Sequence, residues 1–308
     1  MQTRTIGSLR VSVVGLGCNN FGRRIDEPAA AAVVHAALDA GITFFDTANI
    51  YGDGKSEEYL GRALGARRKD AIVATKFGMA FQGKKGAKPE YVRASLEASL
   101  NRVGTDHVDL YWLHEPDPET PIADTLATLD ALVKAGKVRE IGCSNFSVDQ
   151  LREARANTQP GAARFVSVQN QYSLLRRDPE KGVLDECVRQ GLAFIPYFPL
   201  ASGLLTGKHR KGKPTPEGTR LSDGPRRQEL LTESNLEIVE RLIAFASARH
   251  HTVLELAVSW LLSRPAVASV ISGATKPEQV AANARAGDWT PSETELGEIE
   301  SIVHQVAR

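Results

Sequence analysis

Short runs of β-branched and other apolar residues alternate along this chain with longer stretches in which apolar positions recur every three or four residues. The first pattern suits buried strands, the second helices with one apolar stripe. VVGLG leads into 28–40, ITFFD into 56–64, AIVATK into 90–103 and VDLYWLH into 121–135. The second half repeats the alternation. VREIGCSN precedes 147–156, FVSVQNQ precedes 180–190, LAFIPYF leads to helical stretches within 235–264, and VASVISG precedes 277–286. Ahead of the first unit, Arg4 to Val13 reads as two extended pieces around Gly7 and Ser8, a hairpin. A further helix is expected from about Ser292 onward.

About eight strand–helix units is the number that closes a parallel barrel. The predicted fold class is therefore α/β: a (β/α)8 TIM barrel with an N-terminal hairpin and an additional C-terminal helix. No composition break marks a linker, so residues 1–308 read as a single barrel domain. The 199–234 segment is the long irregular stretch, and a loop of that length in a compact domain usually carries function or is disordered. An open doubly wound sheet fits less well. GLGCNNFG has the spacing GxGxxxxG where a dinucleotide loop has GxGxxG, and no acidic residue ends a clear second strand in the manner of that fold.

Charge and cysteines narrow the class. A formal net charge of +1 provides no global field to gather nucleic acid or an anionic membrane. Cys18, Cys143 and Cys187 are too scattered for a disulfide framework or a metal spacing, which suits a reducing compartment. No run approaches the roughly 20 apolar residues that span a bilayer, and the N-terminus lacks a secretory pattern. The expectation is a cytoplasmic protein acting on a small molecule, with no nucleic-acid or membrane partner; nothing in the sequence addresses oligomeric state.

Chemistry in such a barrel collects at the C-terminal strand ends, where the following loops converge. Those positions carry Asp46, Lys76, His114, Ser144 with Asn145, Gln169 with Asn170, and Tyr197. Each alone is an ordinary strand terminator; an acid, a lysine and a histidine at three successive ends are harder to ascribe to chance. Tyr51 follows Asp46 by a short loop that can return its phenol to the mouth. Together these groups suit proton donation to an oxygen gaining negative charge. An ammonium about 4 Å from a phenol interacts by about 4 kcal/mol at an effective dielectric of 20, or about three pKa units. That predicts a Tyr51 hydroxyl drawn toward neutrality by Lys76, with Asp46 orienting the lysine and His114 binding the same oxygen. Hydride must come from a cofactor, since no side chain supplies it. Trp112 reads as barrel filling, Cys143 as packing, and His250 and His251 as surface residues.

FFDTANIYGDGKSEEYLGRAL, VATKFG, VDLYWLHEPDP, LVKAGKVREIGCSNF, VQNQYSLL, PYFPLASGLLTGK and ISGATKPEQVAAN resemble successive signature segments of the aldo/keto reductases, over nearly the whole chain. The resemblance implies a catalytic tetrad of Asp46, Tyr51, Lys76 and His114, with Tyr51 the general acid in carbonyl reduction and the base in alcohol oxidation. It also implies Ser144, Asn145 and Gln169 on the nicotinamide carboxamide and Tyr197 stacked on its ring. LASGLLTGK, with Leu200, Ser202, Gly203 and Lys208, supplies backbone donors and flexible glycines for a pyrophosphate, and Arg220 makes the following loop locally basic. Lys276 precedes a helix that carries Gln279 and Asn283, a natural place for a terminal phosphate. The implied cofactor is NADP(H). NAD(H) stays open, because Gly273 stands where better-studied members have a lysine and Gln279 stands where they have an arginine.

Asn19 and Glu115 occupy places where many members that accept hydrophobic carbonyls have tryptophan. With Phe21 they form the candidate substrate wall, and their polarity points to a small, hydroxylated substrate. Two other readings compete: a noncatalytic nucleotide-sensing subunit on the same barrel, as in the potassium-channel β subunits that resemble this family, and a metal-dependent hydrolase using His114, Asp46 and Glu115.

Overall fold

A computed structural model describes residues 1–306; the last two positions of the 1–308 range lie outside the described residues. Two short strands, β1 (Thr3–Ile6) and β2 (Leu9–Ser12), form the expected antiparallel hairpin. Eight parallel strands follow: β3 (Val14–Gly17), β4 (Phe44–Asp46), β5 (Ile72–Phe77), β6 (Val108–Leu113), β7 (Val138–Ser144), β8 (Phe165–Gln171), β9 (Ala193–Tyr197) and β10 (Val270–Gly273). They pair in the order β10-β3-β4-β5-β6-β7-β8-β9. The circle is nearly closed between β9 and β10, where Phe194 bridges Val267 and accepts a hydrogen bond from the Ala268 amide at 3.1 Å.

The helices alternate with the strands: α1 (Glu27–Asp39), α2 (Lys55–Leu64), α3 (Pro89–Val103), α4 (Ile122–Lys134), α5 (Val148–Ala156) and α6 (Val183–Gln190). After β9 come α7 (Pro225–Leu230), α8 (Glu233–Ser247) and α9 (Val253–Leu262); α10 (Pro277–Arg285) and α11 (Glu293–Val306) follow β10. Local sequence explains the boundaries. Ser147 with Gln150, and Thr252 with Glu255, form capping boxes that satisfy the first amides of α5 and α9.

Two apolar clusters hold the barrel. One lies between the sheet and the helices and includes Val33, Phe45, Leu96, Leu129, Tyr172 and Trp260. The other fills the barrel, where Phe44, Leu110, Trp112 and Ile195 meet Ile6, Leu9 and Val11 of the hairpin. The hairpin therefore plugs the N-terminal end of the barrel, and Ser8 is tied to Glu140 by its amide at 2.7 Å. With that end stoppered, the C-terminal mouth is the barrel end open to a site. Trp112 is barrel filling as expected, and Cys143 is buried packing.

One helix boundary departs from expectation by more than a residue or so. Helix 180–190 begins only at Val183, because Gly182 adopts φ 116° and separates it from a 3-10 turn at Asp178–Glu180. The helical stretches expected within 235–264 are α8 and α9, parted where His250 takes φ 61° and Thr252 caps the second. Within 199–234 the chain makes a 3-10 turn at Ala201–Thr206 and the short α7. His251 also departs from a plain surface position: it stacks on Trp289 at 4.1 Å and pairs with Glu255 at 3.3 Å.

Candidate active site

The barrel register sets the polar residues around one mouth. Asp46 ends β4 opposite Gly17, which in turn faces Gly273 across β10, and Ser144 at the end of β7 faces Gln169 of β8. Lys76 is the penultimate residue of β5, and the His114 amide continues that ladder by donating to the Phe77 carbonyl at 2.8 Å. Tyr51 returns on the tight loop after β4, where its amide donates to Ala48 and Asp53 adopts φ 57°.

Lys76 is fully buried and bridges this set. Its Nζ donates to Asp46 Oδ2 at 2.5 Å, to the Thr47 carbonyl at 2.8 Å and to the Tyr51 hydroxyl at 3.4 Å. Gln169 Nε2 donates to the other carboxylate oxygen of Asp46 at 3.1 Å. His114 meets the Tyr51 ring edge-on, centroids 5.9 Å apart. Burial alone would favour a neutral lysine, but Asp46 and Tyr51 outweigh it and raise the Lys76 pKa. Burial and the Lys76 charge drive His114 down to about 2, so its imidazole is neutral at physiological pH, and its buried Nδ1 has no protein partner.

One expectation is corrected. Lys76 does pull the Tyr51 pKa down, but burial pushes it up by more, and the net direction is upward from 10. The lysine approaches from one side of a partly buried phenol, and the resting hydroxyl is protonated.

Beside this cluster, Asn145 sits at φ 62°, donates to the His114 carbonyl at 3.0 Å and to Ser144 Oγ at 3.1 Å, and accepts from the Tyr197 hydroxyl at 2.8 Å. Ser144, Asn145, Gln169 and Tyr197 thus belong to one hydrogen-bonded wall that shares Asp46 and His114 with the tetrad.

A second feature lies over β9, β10 and the loop after β3. Arg220 Nη2 donates to Asn19 Oδ1 at 2.6 Å and to Asn20 Oδ1 at 2.7 Å. Burial, with the charges of Arg24, Arg226 and Arg23, lowers Arg220 to about 10. Burial and the charges of Arg24 and Arg220 also lower Lys208. The Lys208 ammonium lies beside Gly203, where a side-chain carbon would come within 3.0 Å of it. Arg226 lies 3.9 Å over the Phe198 ring and donates to Ser202 Oγ at 3.3 Å. Cations that depress one another's pKa, next to a backbone turn with Ser202 at φ 57° and Gly203 at φ 99°, fit the phosphates of a dinucleotide.

Several expected residues stand apart. Phe21 is fully buried in the core between barrel and helices, so it builds no wall at the mouth; the turn at Gly22 aims it inward. Asn19 is half-buried with its oxygen engaged by Arg220. Glu115 is exposed and lines a cavity of about 780 Å³ with Asp117, Asn145 and Phe146. Gln279 accepts from the Thr275 amide at 2.8 Å, tying the loop that precedes α10 to the first turn of that helix, while Asn283 is buried and Lys276 exposed at the start of α10. Leu200 is buried under the 201–206 turn. The sequence reading missed Arg24 and Arg226. Neither lies at a strand end, and α7 is too short to show a period.

Among the described residues no group of three or more His, Cys, Asp and Glu side chains could hold a metal ion, and no helix is long and apolar enough to cross a membrane. The Schizosaccharomyces pombe aldo-keto reductase yakc, whose name carries NADP(+), is 36% identical over 86% of this chain and 80% of its own length. A rice protein (Oryza sativa subsp. japonica) named probable voltage-gated potassium channel subunit beta is 35% identical over 98% of this chain and 97% of its own. The solved structure of glycerol dehydrogenase from Gluconobacter oxydans superposes with a TM-score of 0.88 at 30% identity, covering 98% of this chain and 95% of that one. The model of the aldo/keto reductase family matches residues 13–304, and this chain belongs to that family.

Proposed function

We propose that this chain, as one barrel domain, is an NADP(H)-dependent oxidoreductase that interconverts carbonyls and alcohols, with Tyr51 as the proton-transferring group. The observation that carries the reading is the Lys76 ammonium shared between Asp46 and the Tyr51 hydroxyl, with a neutral imidazole alongside.

Bound reduced nicotinamide supplies the hydride. Tyr51, protonated at rest, gives its proton to the carbonyl oxygen as charge develops there: its O–H bond breaks as the alcohol O–H forms. The phenolate left behind lies beside Lys76, whose charge stabilises it, and Asp46 holds that ammonium in place. His114 has its Nδ1 free of protein partners and, being neutral, can hydrogen-bond the same oxygen without repelling Lys76. In alcohol oxidation the Tyr51 phenolate takes the proton back. Ser144, Asn145 and Gln169 would hold the carboxamide, and Tyr197 would pack on the ring. Lys208 and Arg220, with the 200–203 turn, would hold the phosphates, and Lys276 and Asn283 would hold the adenosine end. Gln279 would have to give up its bonds to Thr275 to join them through its side-chain oxygen.

Similarity to a glycerol dehydrogenase supports a small polyol or hydroxyaldehyde substrate, and the NADP(+) in the yeast relative's name supports NADP(H) over NAD(H). Similarity to a channel subunit leaves the noncatalytic reading to be tested by turnover. Assay purified protein with sugars, short hydroxyaldehydes, aromatic aldehydes and ketones, each with NADPH and with NADH. Turnover with NADPH on at least one reactive aldehyde is expected; cofactor binding without turnover on any of them would replace the enzyme reading with the sensor reading.

A further inference from the structure

Behind the loop that carries Lys208 and Arg220 lies a separate cavity of about 280 Å³ between residues 209–215, α7 and α8. His209 lines it and is only 2% exposed, yet neither of its ring nitrogens has a hydrogen-bond partner in the protein. A buried imidazole with no protein partner on either nitrogen needs a hydrogen-bonding group, solvent or ligand, in the cavity it lines.

The other polar lining groups are Arg210, Lys213, Thr215, Arg227 and Gln228, and no carboxylate lines the space. Arg210 is already neutralised by Glu240, through Nε at 2.8 Å and Nη2 at 2.6 Å. Arg227 engages the Ser222 carbonyl through Nη1 at 2.9 Å. Lys213 and Arg227 therefore bring positive charge to the cavity with no acid to balance it. Burial, Lys208 and Arg227 lower the His209 pKa, which leaves a neutral ring that can donate one hydrogen bond. Three donor residues on one lining, two of them cationic, suit a compact tetrahedral oxyanion better than an apolar ligand.

We propose that the His209 cavity is an anion site for a phosphate group, which joins α7 to residues 209–215 and holds the cofactor loop closed. The proposal rests on the reading that Lys208 and Arg220 contact cofactor. The anion would bind the far side of the same segment and favour its closed form, so phosphate and NADPH should each tighten the other's binding. Free phosphate competing for the cofactor's own phosphate contacts would do the reverse.

Calorimetric titration of NADPH into the protein, in inorganic phosphate and in chloride at equal ionic strength and pH, separates these cases. About fivefold tighter NADPH in phosphate is expected, within the range of ordinary site coupling. Arg227→Gln and His209→Phe should each abolish the enhancement while keeping the chloride affinity within about twofold, below the usual coupling range. Arg227 is exposed, so that variant answers even if His209→Phe folds poorly. Glycerol phosphate in a third arm shows whether the site takes a phosphate ester as well as the free ion. NADPH affinity that is equal or weaker in phosphate, or an enhancement that survives in both variants, overturns the site. NADPH that fails to bind in chloride overturns the cofactor reading instead.

Discussion

A side-chain carbon placed on Gly273 would lie 3.5 Å from Nη2 of Arg220, so the guanidinium occupies the space that a longer residue at that strand end would take. Members of this family with lysine at that position bring the charge from the strand; here a loop 53 residues earlier in the sequence can bring it (273 − 220). If Arg220 meets the additional phosphate of NADPH, Arg220→Gln should weaken NADPH by about 10- to 100-fold and NADH much less, the worth of a charged hydrogen bond. Gly273→Lys in the Arg220→Gln background should recover part of the selectivity, and Lys276→Glu in the parent should lower it. Fluorescence titration of both cofactors checks all three. Equal losses for NADPH and NADH in Arg220→Gln would assign the arginine to the shared pyrophosphate.

The protonated, partly buried phenol makes a second expectation. Tyr51→Phe keeps the ring against His114 but removes the transferred proton, and carbonyl reduction should fall by about 10²- to 10⁴-fold with NADPH affinity unchanged. Because burial raises the Tyr51 pKa, its acid form persists past the ordinary tyrosine range in the absence of cofactor. The rate of reduction in the parent should therefore show no tyrosine ionisation between pH 6 and 9, and decline only in more alkaline solution. A decline centred near neutrality would assign the proton to another group.

Lys76 and Asp46 are a buried ion pair whose halves depend on each other. Lys76→Met leaves Asp46 charged without its cation, a loss of about 3–5 kcal/mol for an unpaired buried charge. Adding Asp46→Asn removes that charge and should return part of the stability, though no activity. Urea unfolding of the two single variants and the double variant measures this. Strictly additive losses would mean that the two side chains do not interact.

His114 carries a pH dependence of its own. Burial and Lys76 hold its pKa near 2 in the folded chain, below the unfolded value of 6.5, so between these values the unfolded chain binds more protons. Its contribution is fully present above pH 6.5 and is lost as pH falls, by about 2 kcal/mol from pH 7 to pH 5. His114→Gln should flatten that slope in stability measured at several pH values; an identical slope in the variant would mean that other groups set it.

The strand-end polar residues were legible because barrel topology converts one phase of a repeat into one mouth. Lys76 and Asp46 meet from adjacent strands, and Tyr51 reaches them over a five-residue step. The hairpin and the eight strand–helix units followed from periodicity. What escaped the sequence depended on contacts between distant segments. Arg220 reaches Asn19 across 201 positions, and no local pattern announces that contact. Phe21 looked available beside Asn19, yet the turn directs it into the core. Likewise the sign of the Tyr51 shift turned on burial, which a list of neighbouring charges does not contain.

The proposed substrate preference rests on Glu115. It is exposed and lines the 780 Å³ cavity that adjoins the tetrad only through Asn145 and Leu113, two residues from Asp117, whose carboxylate is occupied by the Ala87 amide and Thr120. Asn19 offers less than its type suggests, since Arg220 already holds its oxygen. On the reading that a substrate extends from the tetrad past Asn145 into that cavity, Glu115 is the group with capacity to accept hydrogen bonds from its hydroxyls. An aromatic aldehyde seated there would displace its water without replacing those bonds, a cost of about 1–3 kcal/mol for a group left unsatisfied. Its exposure favours the lower end, about fivefold in discrimination. The parent should therefore show higher kcat/KM for a short hydroxyaldehyde than for an aromatic aldehyde of similar intrinsic reactivity. Glu115→Trp should reverse the order, by removing the acceptor and adding an apolar face. The variant's kcat/KM for the two substrates, compared with the parent's, is the test. A parent that prefers the aromatic aldehyde, with that preference unchanged in Glu115→Trp, would remove Glu115 from the substrate wall.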